Sequence, residues 1–179
     1  IIDDFSTDKT RELLKKIELK YKIIYKKKNE WKWSSIRQWL KYISWKYTII
    51  QDADLEYDPN DYNKILKKMV DNNLFVVYWS RNLNKSNSRS TNLFYLWWIL
   101  LSLLTNVLYK QNITDEATCY KMIDSKLLKS LDIESNWFEF CPEVTAKISR
   151  LWYKIVEVPI SYYPRKVSDW KKINLSDWI

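Results

Sequence analysis

The segment Gln51-Asp52-Ala53-Asp54-Leu55-Glu56-Tyr57-Asp58-Pro59 decides how the rest of this chain is interpreted. It follows the apolar run Tyr47-Thr48-Ile49-Ile50, which is typical of a buried strand, and it places three carboxylates at alternate positions. In an extended backbone such side chains point to one side. Because α/β sheets bind ligands at the carboxyl ends of their strands, the segment predicts a site for Mg²⁺ or Mn²⁺ and a nucleotide diphosphate. An acidic turn that only caps the helix starting at Pro59 would show the same short pattern.

The composition indicates a single globular domain, residues 1–179, with a sizeable core, because 46% of the residues are hydrophobic and 29% are charged. The net charge of +8 suits phosphorylated substrates, anionic lipid or nucleic acid, and charge alone does not choose among them. The chain has two cysteines, Cys119 and Cys141, and no histidine. That set does not form a zinc site and fits a reduced, cytoplasmic protein.

Strand-like and helix-like segments alternate along the first half of the chain, which predicts an α/β fold with a mostly parallel, Rossmann-like sheet and helices on both faces. The predicted strands are Ile1-Ile2, 22–25, 47–51, 74–78 and 153–158. The predicted helices follow residue 8 and span 29–43, 59–69, 125–131 and 142–151. The apolar run 93–104 is shorter than the roughly 20 residues that span a bilayer. It therefore predicts a core helix or, as we favour, a helix lying in a membrane interface.

Tryptophan and glycine occur in abnormal numbers, since the chain has 11 tryptophans and no glycine. Several tryptophans occupy positions where a turn favours glycine, among them Trp31, Trp33, Trp45, Trp79 and Trp152. UGA encodes glycine in some lineages and tryptophan in another common code. We therefore hypothesise that most of these residues are glycine in the native protein, whereas the alternative is a truly tryptophan-rich chain. Under this hypothesis the chain as written folds poorly, and restoring glycine at all 11 positions rescues it.

Several motifs in order resemble the inverting glycosyltransferase family 2, and in particular its dolichyl- or polyprenyl-phosphate hexose synthases. The motifs are Asp3-Asp4-x-Ser6-Thr7-Asp8, Asn29-Glu30-Trp31-Lys32-Trp33, Asp52-Ala53-Asp54-Leu55-Glu56, Trp79-Ser80-Arg81, Thr114-Asp115-x-x-Thr118-Cys119-Tyr120-Lys121, Phe138-Glu139-Phe140-x-Pro142-Glu143 and Glu157-Val158-Pro159-Ile160-x-Tyr162. Tryptophan stands where that family has glycine. The resemblance implies a GT-A fold and a missing first strand upstream of Ile1. It also implies a nucleotide-sugar-binding half, residues 1–81, and an acceptor-binding half, residues 82–179.

The resemblance also assigns roles to individual residues. It implies that Asp3, Asp4, Lys32, Asp52 and Arg81 bind the nucleotide sugar, with Asp52 and Asp54 in the catalytic centre. Asp54 and Glu56 would hold the metal, although that family often has glutamine at the second position. For the acceptor or its phosphate it implies the basic residues Arg165, Lys171 and Lys172. If the acceptor is a sugar hydroxyl, a carboxylate base is required, and the candidates are Asp115, Glu139 and Glu143.

The function implied is transfer of a hexose, with inversion, from a nucleotide-diphosphate sugar to a polyprenyl phosphate. The enzyme would act at the inner, cytoplasmic face of a membrane, with Mg²⁺ or Mn²⁺ as cofactor and no nucleic acid partner. A glycan acceptor, as in cell-wall or surface polysaccharide synthesis, is the first alternative. A nucleotidyltransferase with the same paired carboxylates and an inactive nucleotide-sugar-binding module are the others.

Overall fold

The computed structural model describes residues 1–52, 54–84, 87, 92–135 and 139–164. Helices and strands alternate through most of this length. The strands are β1 (Ile2–Asp3), β2 (Ile24–Tyr25), β3 (Tyr47–Ile49), β4 (Val76–Ser80), β5 (Lys121–Asp124) and β6 (Val156–Pro159). The helices are α1 (Thr10–Lys15), α2 (Trp31–Leu40), α3 (Tyr62–Asp71), α4 (Asn92–Tyr109), α5 (Ser125–Ser130) and α6 (Phe140–Arg150). The α/β prediction is confirmed.

The strands form a parallel pair, β1–β2, and a four-stranded sheet in the order β3-β5-β4-β6. In the larger sheet β4 pairs in parallel with β6, whereas β5 runs antiparallel to both β3 and β4. The sequence analysis missed β5. Its first residue, Lys121, argues against a buried strand, but the ammonium group is satisfied by the carbonyl oxygens of Glu116 and Thr118. Because β5 and β6 follow residue 82, both predicted halves contribute to this sheet.

Two hydrophobic clusters cover the two faces of the larger sheet, and β4 supplies both of them. Val76 and Tyr78 point into the cluster formed with α2, α5 and α6, whereas Val77 and Trp79 point into the cluster formed with α3. All four side chains are fully buried. This alternation follows from the period of two along a strand. Helices therefore lie on both faces, as predicted.

Helix α4 has its apolar side exposed and its small polar side buried. Ser102 and Thr105 are buried against the protein. The exposed residues recur at helical spacing and are Leu96, Ile99, Leu100, Leu103, Leu104, Val107 and Leu108, which we call the α4 stripe. Within the described part of the chain, no helix combines the length and the hydropathy needed to cross a membrane. The core-helix alternative is therefore wrong, and the position in a membrane interface stays a prediction.

The tryptophans fall into two structural groups. Trp31 (φ 71°) and Trp152 (φ 64°) adopt the left-handed backbone region that favours glycine, and both are exposed. In contrast, Trp79 lies inside β4 and Trp33 inside α2, both buried, so the prediction that they occupy a turn and a loop is wrong. Their indoles stack on Tyr120 at 4.2 Å and on Phe140 at 4.4 Å. The indole N–H of Trp79 nevertheless has no hydrogen-bond partner.

For two further tryptophans that the recoding hypothesis covers, Trp45 and Trp137, the backbone conformation does not decide the matter. Trp45 is 82% exposed and is not among the described residues with positive φ. Trp137 lies outside the described residues. The recoding hypothesis therefore has direct backbone support at Trp31 and Trp152, and it stays a hypothesis elsewhere.

We expect Trp31→Gly and Trp152→Gly each to raise the free energy of unfolding by about 1 kcal/mol, because glycine adopts positive φ without the steric cost of a Cβ atom. Trp33→Gly is the matched control, since it removes a packed ring and is expected to lower stability by about 3 kcal/mol or more. Urea unfolding measures both effects. Peptide mass spectrometry of the native protein tests the hypothesis itself, because a tryptophan residue mass at position 31 contradicts recoding there.

Candidate active site

The first predicted ligands, Asp3 and Asp4, lie at the end of β1 with different partners. Asp3 is buried and accepts hydrogen bonds from Nε of Arg11 at 2.6 Å and from the amide of Ser6 at 3.2 Å. Burial would raise the pKa of Asp3, but the bonds from Ser6 and Arg11 outweigh it and lower the pKa. Asp4 is more accessible, with its side chain 23% exposed. The carboxylate of Asp3 is therefore enclosed by the protein, whereas that of Asp4 is partly exposed.

Lys26 forms ion pairs both with Asp4 and with Glu30, the residue before α2. It was not among the site residues predicted from the sequence. Its ammonium group pairs with Asp4 at 2.7 Å and with Glu30 at 3.2 Å, and only 3% of its side chain is exposed. The amide of Glu30 also donates to Asp4 at 3.0 Å. The signal was present in the run Lys26-Lys27-Lys28, but sequence alone does not show which lysine is buried.

Lys32 and Asp52, both predicted to bind the donor, form an ion pair, and their role at the donor stays a prediction. The ammonium nitrogen lies 2.5 Å and 2.6 Å from the two carboxylate oxygens. Burial lowers the pKa of Lys32, but the charges of Cys119 and Asp52 outweigh burial and the pKa is raised. Lys32 therefore stays protonated at neutral pH, which is the state that contacts a phosphate group.

The segment containing Asp54 and Glu56 forms a turn. The prediction that it continues the strand in an extended conformation is therefore wrong. Strand β3 ends at Ile49, and Leu55 adopts φ 64° with its side chain 86% exposed. The amide of Glu56 donates to Oδ1 of Asp54 at 3.2 Å, and the buried carboxylate of Glu56 accepts from the hydroxyl of Tyr162 at 3.1 Å. The three carboxylates of this segment thus do not share one side: Asp52 faces Lys32 and Glu56 faces Tyr162.

A divalent cation fits this turn as a site completed by substrate. Among the described residues no group of three or more acidic, cysteine or histidine side chains forms a ready-made metal site. Mg²⁺ in nucleotide enzymes is commonly held by one or two carboxylates together with substrate phosphates. Asp54 is the half-buried carboxylate of the turn and Glu56 follows two positions later. The donor set is therefore all oxygen and suits Mg²⁺ or Mn²⁺.

Arg81, which the resemblance assigns to the nucleotide sugar, forms a buried, bidentate ion pair with Asp115. Nε and one terminal nitrogen of Arg81 donate to the two carboxylate oxygens at 2.7 Å and 2.6 Å, and the amide of Arg81 adds a bond at 3.0 Å. The side chain of Arg81 is 9% exposed and that of Asp115 is 0% exposed. The guanidinium also lies over the rings of Trp98, at 3.9 Å, and Tyr162, at 5.5 Å. Arg81 is therefore not a solvated surface arginine.

The other two candidate bases lie near the start of α6. Glu139 is exposed at the position preceding the helix. Glu143 accepts from the amides of Glu134 and Ser135 at 2.8 Å and pairs with Lys147 at 2.7 Å. Burial would raise the pKa of Glu143, but the bonds from Lys147, Ser135 and Glu134 lower it to about 2. Of the three candidates, Asp115 and Glu143 already serve as acceptors for neighbouring donors.

We expect Glu143 to stabilise the fold above pH 4.5, its ordinary pKa, and to lose that contribution as the pH falls toward about 2. The sign follows from linkage, because a carboxyl group with a lowered folded pKa binds protons more readily in the unfolded chain. Glu143→Gln should therefore flatten the decline of unfolding free energy between pH 4.5 and 2, measured by urea titrations at several pH values. Identical acid profiles for the parent and Glu143→Gln would contradict this expectation. Glu12→Gln serves as a control on the exposed α1.

Four tyrosines that were given no role from the sequence contact one another between the turn and Arg81. Tyr57 stacks on Tyr120 at 4.4 Å and contacts Tyr162 at 5.5 Å. Gln51 accepts hydrogen bonds from the hydroxyls of Tyr120 and Tyr62. The predicted phosphate contacts Arg165, Lys171 and Lys172 lie outside the described residues, and their roles stay predictions.

Known proteins resemble this chain in sequence and in fold. The sequence profile described as "Glycosyl transferase family 2" matches residues 1–132. An uncharacterised protein of Methanocaldococcus jannaschii is 34% identical over 89 residues, which cover 45% of this chain and 39% of the relative.

Two solved structures illustrate the likeness in fold. A mannosyltransferase from Pyrobaculum calidifontis, in complex with GDP-Man and Mn²⁺, is 15% identical with a TM-score of 0.58, over 88% of this chain and 44% of that one. Glucosyl-3-phosphoglycerate synthase from Mycobacterium tuberculosis, in complex with Mn²⁺, UDP-glucose and phosphoglyceric acid, is 13% identical with a TM-score of 0.60, over 94% and 61%. At such identities the likeness shows the fold alone. The chain spans between 39% and 61% of the length of these three relatives.

Proposed function

Because this chain belongs to glycosyl transferase family 2 and has the GT-A fold, we propose that it transfers a hexose from a nucleotide-diphosphate sugar to a polyprenyl phosphate, with inversion at the anomeric carbon. The donor nucleotide lies against Asp4, Lys32 and Asp52 in the 1–81 half. The acceptor lies on the 82–179 half. The product is a sugar-phospholipid made at the inner, cytoplasmic face of a membrane.

The observation that carries the lipid acceptor is the α4 stripe. The stripe exposes seven large aliphatic side chains along one helix, and Trp98 of the same helix packs on the Arg81 guanidinium at 3.9 Å. A helix that buries its serine and threonine and exposes its leucines suits the boundary between headgroups and acyl chains. A net charge of +8 favours an anionic surface. The exposed apolar side of α4 and the positive net charge thus both favour an anionic lipid surface.

The candidate bases also favour a phosphate acceptor over a hydroxyl. A phosphate oxygen is ionised near neutral pH and attacks without a strong general base, whereas a sugar hydroxyl needs one. Asp115 accepts two bonds from the Arg81 guanidinium, and the pKa of Glu143 is lowered to about 2 by its donors. Neither is therefore suited to remove a proton from a hydroxyl at neutral pH, and the exposed Glu139 is the remaining candidate base of the three.

Asp54, with Glu56, is the proposed ligand set for Mg²⁺ or Mn²⁺. Bound there, the metal supplies positive charge that offsets the negative charge developing on the nucleoside diphosphate. Lys32 contributes a second positive charge at the donor diphosphate. Its ammonium group is oriented by Asp52 at 2.5 Å. Tyr162 orients Glu56 through its hydroxyl at 3.1 Å.

Transfer from radiolabelled nucleotide sugars tests this function. Full-length protein is incubated with GDP-mannose or UDP-glucose and either polyprenyl phosphate in liposomes or a soluble methyl glycoside. We expect label to enter the organic phase only with polyprenyl phosphate, and a chelator to stop it. Labelling of the soluble glycoside with polyprenyl phosphate ignored contradicts the lipid acceptor and supports the hydroxyl alternative.

Membrane binding gives a separate prediction. We expect the double variant Leu100→Asn/Leu104→Asn to lose at least about tenfold in affinity for anionic vesicles, because each buried leucine side chain is worth roughly 1.5–3 kcal/mol. Vesicle flotation with phosphatidylglycerol liposomes measures the change. Leu13→Asn/Leu19→Asn is the matched control, because both leucines are exposed outside α4. Equal flotation of the two double variants would remove the α4 stripe from the proposal.

A further inference from the structure

Glu157 of β6 is a carboxylate that none of the assigned roles uses. Its Oε2 atom accepts from the amide and the hydroxyl of Thr114, both at 2.8 Å, and its Oε1 atom accepts from the amide of Asp115 at 3.0 Å. Three donors from two consecutive residues thus converge on one side chain. Hydrogen bonds to an ionised acceptor are stronger than those between neutral groups.

The two residues that Glu157 holds are the ones that orient Arg81. Asp115 receives the Arg81 guanidinium through both of its oxygens, at 2.6 Å and 2.7 Å. Thr114 contacts the same stretch, because its hydroxyl lies 2.6 Å from that of Ser80 and its carbonyl accepts from Asn82 at 2.6 Å. A change in the 114–115 backbone therefore moves the counter-charge of Arg81.

Arg81, which the resemblance assigned to the nucleotide sugar, in turn contacts α4, the helix that the proposed function assigns to the acceptor. Its guanidinium lies 3.9 Å from the Trp98 ring of α4. In contrast, the residues placed around the donor, Asp4, Lys26, Lys32 and Asp52, pair with one another and not with this group. The contacts run from β6 through the 114–115 loop to Arg81 and α4, on the acceptor side of the sheet.

We infer that Glu157 is a positioning residue, which orients Asp115 and through it holds Arg81 against α4 for acceptor binding. The expected change in KM for the acceptor rests on the proposed function, whereas the expected change in the exposure of Arg81 does not. Glu157 does not touch the reacting atoms. Removing its carboxylate leaves two buried amides and a hydroxyl without their acceptor, so the loop relaxes and Arg81 loses its fixed counter-ion.

The exposure of Arg81 gives a test that needs no activity. Full-length parent, Glu157→Ala and Glu157→Gln are treated with phenylglyoxal, and modification at Arg81 is followed by peptide mass spectrometry. The parent is expected to be protected, since 9% of the Arg81 side chain is exposed. Modification should be several-fold faster in Glu157→Ala and intermediate in Glu157→Gln, which keeps one carbonyl acceptor. Asp124→Ala is the matched control, because Asp124 also accepts two backbone amides, at 2.9 Å and 3.1 Å, at the start of α5.

Kinetics give the second readout. We expect the apparent KM for polyprenyl phosphate to rise about tenfold in Glu157→Ala, with Glu157→Gln restoring part of it, while the KM for the nucleotide sugar changes less than about twofold. A fold that is merely weakened would raise both KM values or neither. Unchanged Arg81 modification in Glu157→Ala, or parallel rises of both KM values, overturns the inference. Absence of any transfer by the parent contradicts the proposed function alone, because the Arg81 modification rates still decide the role of Glu157.

Discussion

Asp54→Ala is expected to abolish divalent-dependent binding of the nucleotide sugar and to lower transfer about 100-fold or more. The reason is electrostatic, because a bound cation is worth several kcal/mol of stabilisation to the charge on the diphosphate. Asp54 accepts the amide of Glu56 at 3.2 Å within a turn, so its loss should leave the sheet intact. Titration calorimetry with GDP-mannose and UDP-glucose, with Mn²⁺ and with chelator, measures the binding.

Asp58→Ala is the matched control for this variant. It removes a carboxylate four positions later whose side chain accepts from the amide of Asn60 at 2.9 Å and caps the 3₁₀ turn Pro59–Asp61, which leads into α3. Loss of that cap should cost about 1 kcal/mol of stability while donor binding persists. Glu56→Gln is expected to have a smaller effect than Asp54→Ala, since an amide oxygen still accepts from Tyr162. Donor affinity that is indifferent both to Asp54→Ala and to chelator would refute the metal assignment.

Asp115→Ala is expected to lower the free energy of unfolding by about 3–5 kcal/mol, because it leaves the Arg81 guanidinium buried without its counter-ion. Burial lowers the pKa of Arg81, but the charge of Asp115 more than compensates and the pKa is raised. Arg81 therefore stays protonated in the parent. In Asp115→Ala its charge either remains buried without a counter-ion or reaches water through local unfolding of the surrounding segment. Urea denaturation with linear extrapolation measures the loss.

A double-mutant cycle separates this effect from simple loss of packing. Arg81→Met combined with Asp115→Ala should recover much of the stability, because no unpaired charge then remains. Lys64→Ala provides the contrast, since Lys64 pairs with Asp61 through a side chain that is 69% exposed, and such pairs contribute about 1 kcal/mol or less. A loss below about 1 kcal/mol for Asp115→Ala would mean that water screens the pair.

The order of elements was readable from the sequence because it depends on local patterns. Apolar runs bounded by polar segments indicated β1, β2, β3, β4 and β6, and Asp58 followed by Pro59 marked the start of α3. Most boundaries shift by a few residues. Several motifs in register, from Asp3-Asp4 to Trp79-Ser80-Arg81, pointed to the family that the profile match over residues 1–132 establishes.

Contacts between residues far apart in the chain decided the rest. Strand β5 was not predicted because a buried lysine such as Lys121 is unusual in a strand. Its ammonium group donates to carbonyl oxygens that only the folded loop brings near. The spacing of Asp52, Asp54 and Glu56 suggested one shared side, but the positive φ of Leu55 and the hydroxyl of Tyr162 redirect the segment. Likewise, Arg81 and Glu157 are isolated charges in the sequence, and only the fold brings them to Asp115 and Thr114.

Thus the sequence by itself determined most of the strands and helices and the family to which the chain belongs, because these follow from short-range pattern and chemical type. Only the tertiary structure decided that α4 faces outward and that Asp115 and Glu143 already accept bonds from neighbouring donors. It also decided which tryptophans have the backbone of a glycine. The physical reason is that burial, ion pairing and positive φ depend on distant neighbours, which a periodic pattern does not record.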